Sequence, residues 1–173
     1  LVLDLEIVPE HNGAPERIIK VGALRPDTGD TLELNTGKHL GPALSRLDQM
    51  SNGASFILGH NIRAHDIPAL ARAAPGLQLL QRPVIDTLHL SPLAFPQNPY
   101  RRLVKDYKLI RDSLNSPLAD CASTLTLFAD QQDALARLAT SHPLELSCYQ
   151  ALIAPRAGAG LGNFFFALAR QPA

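Results

Sequence analysis

The chain has 173 residues, 46% hydrophobic and 18% charged, which suits one globular domain and excludes a disordered polyelectrolyte. Sixteen basic residues balance sixteen acidic ones, which argues against a dedicated high-affinity DNA binder but leaves room for an enzyme with a local basic groove. No apolar run approaches the roughly 20 residues of a membrane span and no secretory leader opens the chain, so a cytoplasmic protein is expected.

Leu1 enters a strand-like run at once, so the chain is expected to be a piece of a longer protein. "LVLDLEIV" reads as a first strand and "RIIKVGALRP" as a second, after a loop holding Gly13 and Pro15. "PDTGD" is a turn by composition, and "TLELN" continues as a third strand, which predicts an antiparallel meander. Apolar residues at 43, 44, 47 and 50 have helical spacing. "SFILGH" then predicts a strand, "DIPALARAA" a helix, "PVIDTLHL" another strand, and "SPLAFPQNPY" an irregular loop. Ser116-Pro117 is a helix start, a capping residue followed by Pro in the first turn, for a long helix through residue 139. His142-Pro143 begins another, and "LGNFFFALAR" closes the chain. This order predicts one α/β domain: a mixed sheet with a three-strand meander, a core over about 1–130, and C-terminal helices over 143–170. "AGAGLG" has the glycines of a phosphate loop but no preceding strand, and reads as a flexible turn. Cys121 and Cys148 are too far apart for a zinc motif and read as buried thiols.

Asp4 and Glu6 lie at i and i+2 of the first strand and so share a face. A divalent cation relieves their repulsion, since magnesium and manganese favour carboxylate oxygen. Taken alone, the pair also fits an edge strand with one solvated face. Asp66 stands where a strand gives way to a helix, suited either to a metal or to the positive end of that helix. Asp120 lies in the first turns of the long helix among small apolar neighbours, and a helix-dipole role is again the alternative.

In this order the acids resemble the DEDD family of 3′→5′ exonucleases, over roughly residues 1–130. "LDLE" is similar to the family's first motif, "GHNIRAHD" to its second and "LADC" to the acid end of its third, with "VIDTL" between them. "SPLAFPQNPYRRLVKDYKL" with "NSPLADC" further resembles exonuclease-like domains that precede helicase modules in bacterial proteins related to RecQ helicases. The resemblance implies a ribonuclease-H-like fold. It also implies that Asp4, Glu6, Asp66 and Asp120 hold two divalent cations, Mg²⁺ or Mn²⁺, for phosphodiester hydrolysis. Single-stranded DNA is the favoured partner, Asn61 a substrate-binding residue, and a helicase module in the same chain an expected companion.

One position departs from the family. The His branch carries its base five residues before the last aspartate, and that position is Asn115; the Tyr branch carries it four before, and that position is Ser116. Asparagine cannot accept the proton, though it can orient a water. Two readings follow: a slow nuclease relying on its cations, or a catalytically silent domain that binds nucleic acid or acts as a scaffold. The basic run "YRRLVKDYKL" is either a phosphate path through Arg102, Lys105 and Lys108 or a solvated face interrupted by Asp106.

Overall fold

The computed structural model describes residues 1–10, 15–37, 39–98, 116–157 and 159–168. Asn115 and the run from Tyr100 to Leu109, with Arg102, Lys105 and Lys108, lie outside them.

Five strands form one sheet: β1 (Val2–Val8), β2 (Arg17–Leu24), β3 (Thr31–Asn35), β4 (Ile57–Gly59) and β5 (Val84–Asp86). Their spatial order is β3-β2-β1-β4-β5. The first three strands make the expected antiparallel meander, while β1, β4 and β5 run parallel. The result is a mixed sheet with flanking helices, in keeping with the expected ribonuclease-H-like α/β fold.

Among the described residues the helices are α1 (Leu40–Met50), α2 (Asp66–Ala73), α3 (Thr87–Ala94), α4 (Pro117–Ser141), α5 (Pro143–Ala157) and α6 (Ala159–Leu168), with a 3-10 turn over Gln78–Gln81. Side-chain alternation along the strands divides the interior between two faces. Leu1, Leu3 and Leu5 join Val21, Ala23 and Ile57 against α1 and α2. Val2, Leu58 and Ile85 face the other way and meet Cys121, Phe128, Leu161 and Phe165 from α4 and α6. The second core includes a run of aromatic contacts, Phe56 to Phe128 to Phe164, with ring centroids 6.1 and 5.5 Å apart. No helix among the described residues is long and apolar enough to cross a membrane.

Four local expectations are corrected. The strand expected over "PVIDTLHL" ends at Asp86, and Thr87–Ala94 is helical. The Asp86 carboxylate accepts the Leu88 amide at 3.0 Å, so a side-chain cap overrides the β-forming character of the residues that follow. Helix α3 also takes up "SPLA" of the expected loop, and it stops two residues after Pro92. "AGAGLG" is mostly helical rather than a turn, with α5 running to Ala157 and α6 starting at Ala159. The small residues serve close approach, because a Cβ on Gly160 would stand 2.2 Å from the Val84 carbonyl oxygen. Cys121 is buried as expected, but Cys148 is exposed on the outer side of α5, where Leu144 and Leu152 also face solvent.

Candidate metal centre

The opening strand explains its own acids. Its odd positions fill the core under α1 and α2, and Val2 fills the core under α4. Asp4 and Glu6 continue the Val2 face towards the strand's C-terminal end, where both are half-buried. A register shift between Glu6 and Ile7 leaves Ile19 as an extra residue on β2, and pairing resumes at Ile7 and Ile18.

Helix α4 brings the third acid. Ser116 caps it, with Oγ accepting the Ala119 amide at 3.2 Å, and Pro117 is buried in its first turn. That turn rests on Gly22, the residue paired with Asp4 across β1 and β2. A Cβ on Gly22 would lie 2.5 Å from the Pro117 carbonyl carbon, so glycine is what permits the contact. Asp120 thereby reaches β1, and one ligating oxygen each from Asp4, Glu6 and Asp120 lie within 4.8 Å of one another. Three hard oxygen donors at that spacing can hold a metal ion, and their chemistry suits a cation such as magnesium or manganese.

Asp66 arrives by a different route and lies outside that oxygen group. The Leu1 carbonyl accepts the Leu58 amide at 2.8 Å, so the odd residues of β1 direct their backbone groups towards β4. Because β4 ends at Gly59, the Leu5 amide has no strand to pair with. Asp66 Oδ1 accepts it at 2.9 Å. Burial pushes the Asp66 carboxyl up to about 7, the Leu5 amide and its own amide pull it back, and the charge of Asp86 adds to the rise. The Cys121 thiol lies within electrostatic reach of Asp4, Asp66 and Asp120. Burial first, and then those three charges, raise it well above the usual range. It stays protonated beside the carboxylates and is a poor ligand in that form.

Asp86, which the sequence marks only as part of a strand, is fully buried at the end of β5. Its oxygens accept the amides of Asn61 at 2.9 Å, Leu88 at 3.0 Å and Arg63 at 3.1 Å. It thus fixes the loop that leads into Asp66. The signal that could have found it is an acid closing an apolar strand directly before a helix. Asn61, expected to bind substrate, has a structural backbone. Its φ is 57°, its amide goes to Asp86, and its carbonyl accepts the amides of Ala64 and His65. A left-handed conformation there suits asparagine better than most residues. His60 supports the same loop, with Nδ1 2.9 Å from the Thr87 hydroxyl. His65 stands exposed at the start of α2.

The chain matches no family model, and no curated protein matches it.

Proposed function

We propose that the chain is a metal-dependent 3′→5′ exonuclease domain that hydrolyses phosphodiester bonds of single-stranded DNA. The observation that carries this reading is the meeting of Asp4, Glu6 and Asp120, from a strand and a distant helix, with their oxygens within 4.8 Å of one another. A domain with no cation to bind gains nothing from bringing three mutually repelling carboxylates together. In this reading two divalent cations, Mg²⁺ or Mn²⁺, are held by these three residues and Asp66, and the domain works beside a helicase module of the same protein.

Bound cations supply Lewis acidity that activates water and stabilises the departing 3′ oxygen. The chain's own residues provide position and charge. Asp4 and Glu6 are fixed by strand pairing and Asp120 by a capped helix turn, so little ordering is left for the moment of reaction. Asp66 holds the end of β1 by accepting the Leu5 amide. By sequence Asn115 falls at the position of the family's base, and asparagine cannot take the proton of water, which makes the enzyme slow.

The second reading, a silent nucleic-acid-binding or scaffolding domain, is favoured by that same Asn115. A 3′-labelled single strand incubated with Mn²⁺ separates the two. Release of the labelled 3′-terminal residue as a nucleoside 5′-monophosphate, lost in Asp4→Asn and Asp120→Asn, is the expected outcome. Asn115→His should raise the rate by roughly 10²-fold, the lower range of general-base catalysis. No cleavage by either the wild type or Asn115→His, with Mn²⁺ bound, selects the silent domain.

A further inference from the structure

We propose that Lys20 is a substrate-positioning residue that holds a backbone phosphate of the strand lying next to the carboxylate centre, with Arg17 holding the next one along. The inference rests on the nucleic-acid reading above and adds to it the direction in which the substrate leaves the centre.

Register is the first ground. Lys20 is the cross-strand partner of Glu6, and Asn35 of β3 is the partner of Lys20 on its other side. Directly opposed residues project from the same face, so the three side chains form one row across the sheet, on the face of Asp4 and Glu6. After the register shift, Val8 pairs with Arg17. Ile18 is buried in the opposite core, which leaves Arg17 on the acid side.

Coverage is the second ground. The first turn of α4 lies on the row of Asp4 and Gly22. The next row outward is open, with Glu6 and Lys20 half-buried and Asn35 exposed, and Arg17 beyond it is exposed as well. Two cations therefore follow one another along β2, starting in the row of Glu6, one row from Asp4. A strand whose scissile phosphate lies at Asp4, Glu6 and Asp120 meets an ammonium group beside it and a guanidinium further out. Such contacts fix register on the substrate without reading its sequence.

The test is the binding of a 5′-fluorescein oligothymidylate by fluorescence anisotropy, with Ca²⁺ present, over a range of salt. Lys20→Met is expected to weaken binding about three- to tenfold and to make the slope of log affinity against log salt shallower by about 0.7, one phosphate contact on a single strand. Lys20→Arg should restore both, and Lys20→Met with Arg17→Met should lose about twice the slope. Mn²⁺ affinity, measured separately by calorimetry, should stay equal or rise in Lys20→Met, because a cation beside Glu6 has been removed. The proposal is overturned by a Lys20→Met protein with wild-type affinity and slope, or by a wild type that binds no oligonucleotide. It is also overturned if Lys20→Arg fails like Lys20→Met and both lose Mn²⁺ affinity, the signature of a structural role. A wild type that binds DNA through Lys20 yet cuts none upholds this inference and removes the exonuclease reading.

Discussion

Two pairs of elements in this molecule place carboxylates at the end of the sheet, and they treat the charge in opposite ways. Asp66, at the start of α2, and Asp86, at the end of β5, are buried and take backbone amides as partners. Asp4, Glu6 and Asp120, on β1 and α4, stay half-buried and turn their oxygens towards one another. The first arrangement completes the fold with groups the chain already contains. The second gathers negative charge at a spacing that a divalent cation can bridge. An aspartate's role here follows from whether the nearest unpaired amide lies within its reach.

The largest effect that this contrast predicts is on stability. Asp86→Ala strips three buried or half-buried amides of their acceptor in one step. Each hydrogen bond to a charged group contributes about 1.5–3 kcal/mol, so a loss of about 5 kcal/mol, near the whole stability of a small domain, is expected in urea denaturation. An Asp86→Ala protein as stable as Asp4→Asn would erase the distinction between the two sets of acids.

Asp66 gives the next largest effect, through pH. Its carboxyl titrates at about 7 when folded, against an unfolded value near 3.9. Below the unfolded value both states hold the proton and the group contributes nothing. As pH rises from about 4 to 7 the unfolded chain releases its proton while the folded one keeps it, so the metal-free protein loses stability; above 7 the penalty is constant. The ceiling is about 4 kcal/mol for a shift of that size. Denaturation in EDTA at a series of pH values should show wild type declining relative to Asp66→Asn across this window. Parallel curves would mean that the carboxyl is not buried in the way described.

How much of such a site is legible in the sequence depends on whether its signal is local. The i, i+2 spacing of Asp4 and Glu6 marks a shared face, and Ser116-Pro117 marks the start of the helix that brings Asp120; both are readable because they follow from backbone geometry within a few residues. The meander is readable from "PDTGD", whose turn closes through the Arg25 amide on the Asp30 carbonyl at 2.8 Å. Asp86 is hidden because two of its three amide partners, Asn61 and Arg63, lie more than 20 residues earlier in the chain. Lys20 is hidden because its importance depends on strand register, which no single run of sequence states. Thr87 and Leu88 mislead because apolar β-forming residues continue past the point where a side-chain cap begins a helix.

Gly22→Ala probes the contact that joins the two elements of the carboxylate centre. A methyl group there would overlap backbone atoms of Pro117 and Leu118, which cannot rotate away as a side-chain tip can. Overpacking of this kind typically costs about 1–3 kcal/mol, and relief requires the first turn of α4 to lift from the sheet. Mn²⁺ affinity should therefore fall about tenfold although no ligand has been changed. Unchanged affinity would show that Asp120 reaches Asp4 without that contact.

The smallest effect is also the one that most directly separates the two sets of acids. Asp120→Asn removes one of three clustered charges while leaving the amide-bound acids, Asp66 and Asp86, in place. Charges about 5 Å apart at a watery surface repel by about 1 kcal/mol, so the metal-free variant should be more stable than wild type by ~0.5–1 kcal/mol. In saturating Mn²⁺ the order should reverse, because wild type gains the binding free energy and the variant does not. Thermal denaturation of both proteins with EDTA and with Mn²⁺ gives all four values. A variant less stable than wild type without metal would mean that Asp120, like Asp86, is held by the fold rather than kept for a cation.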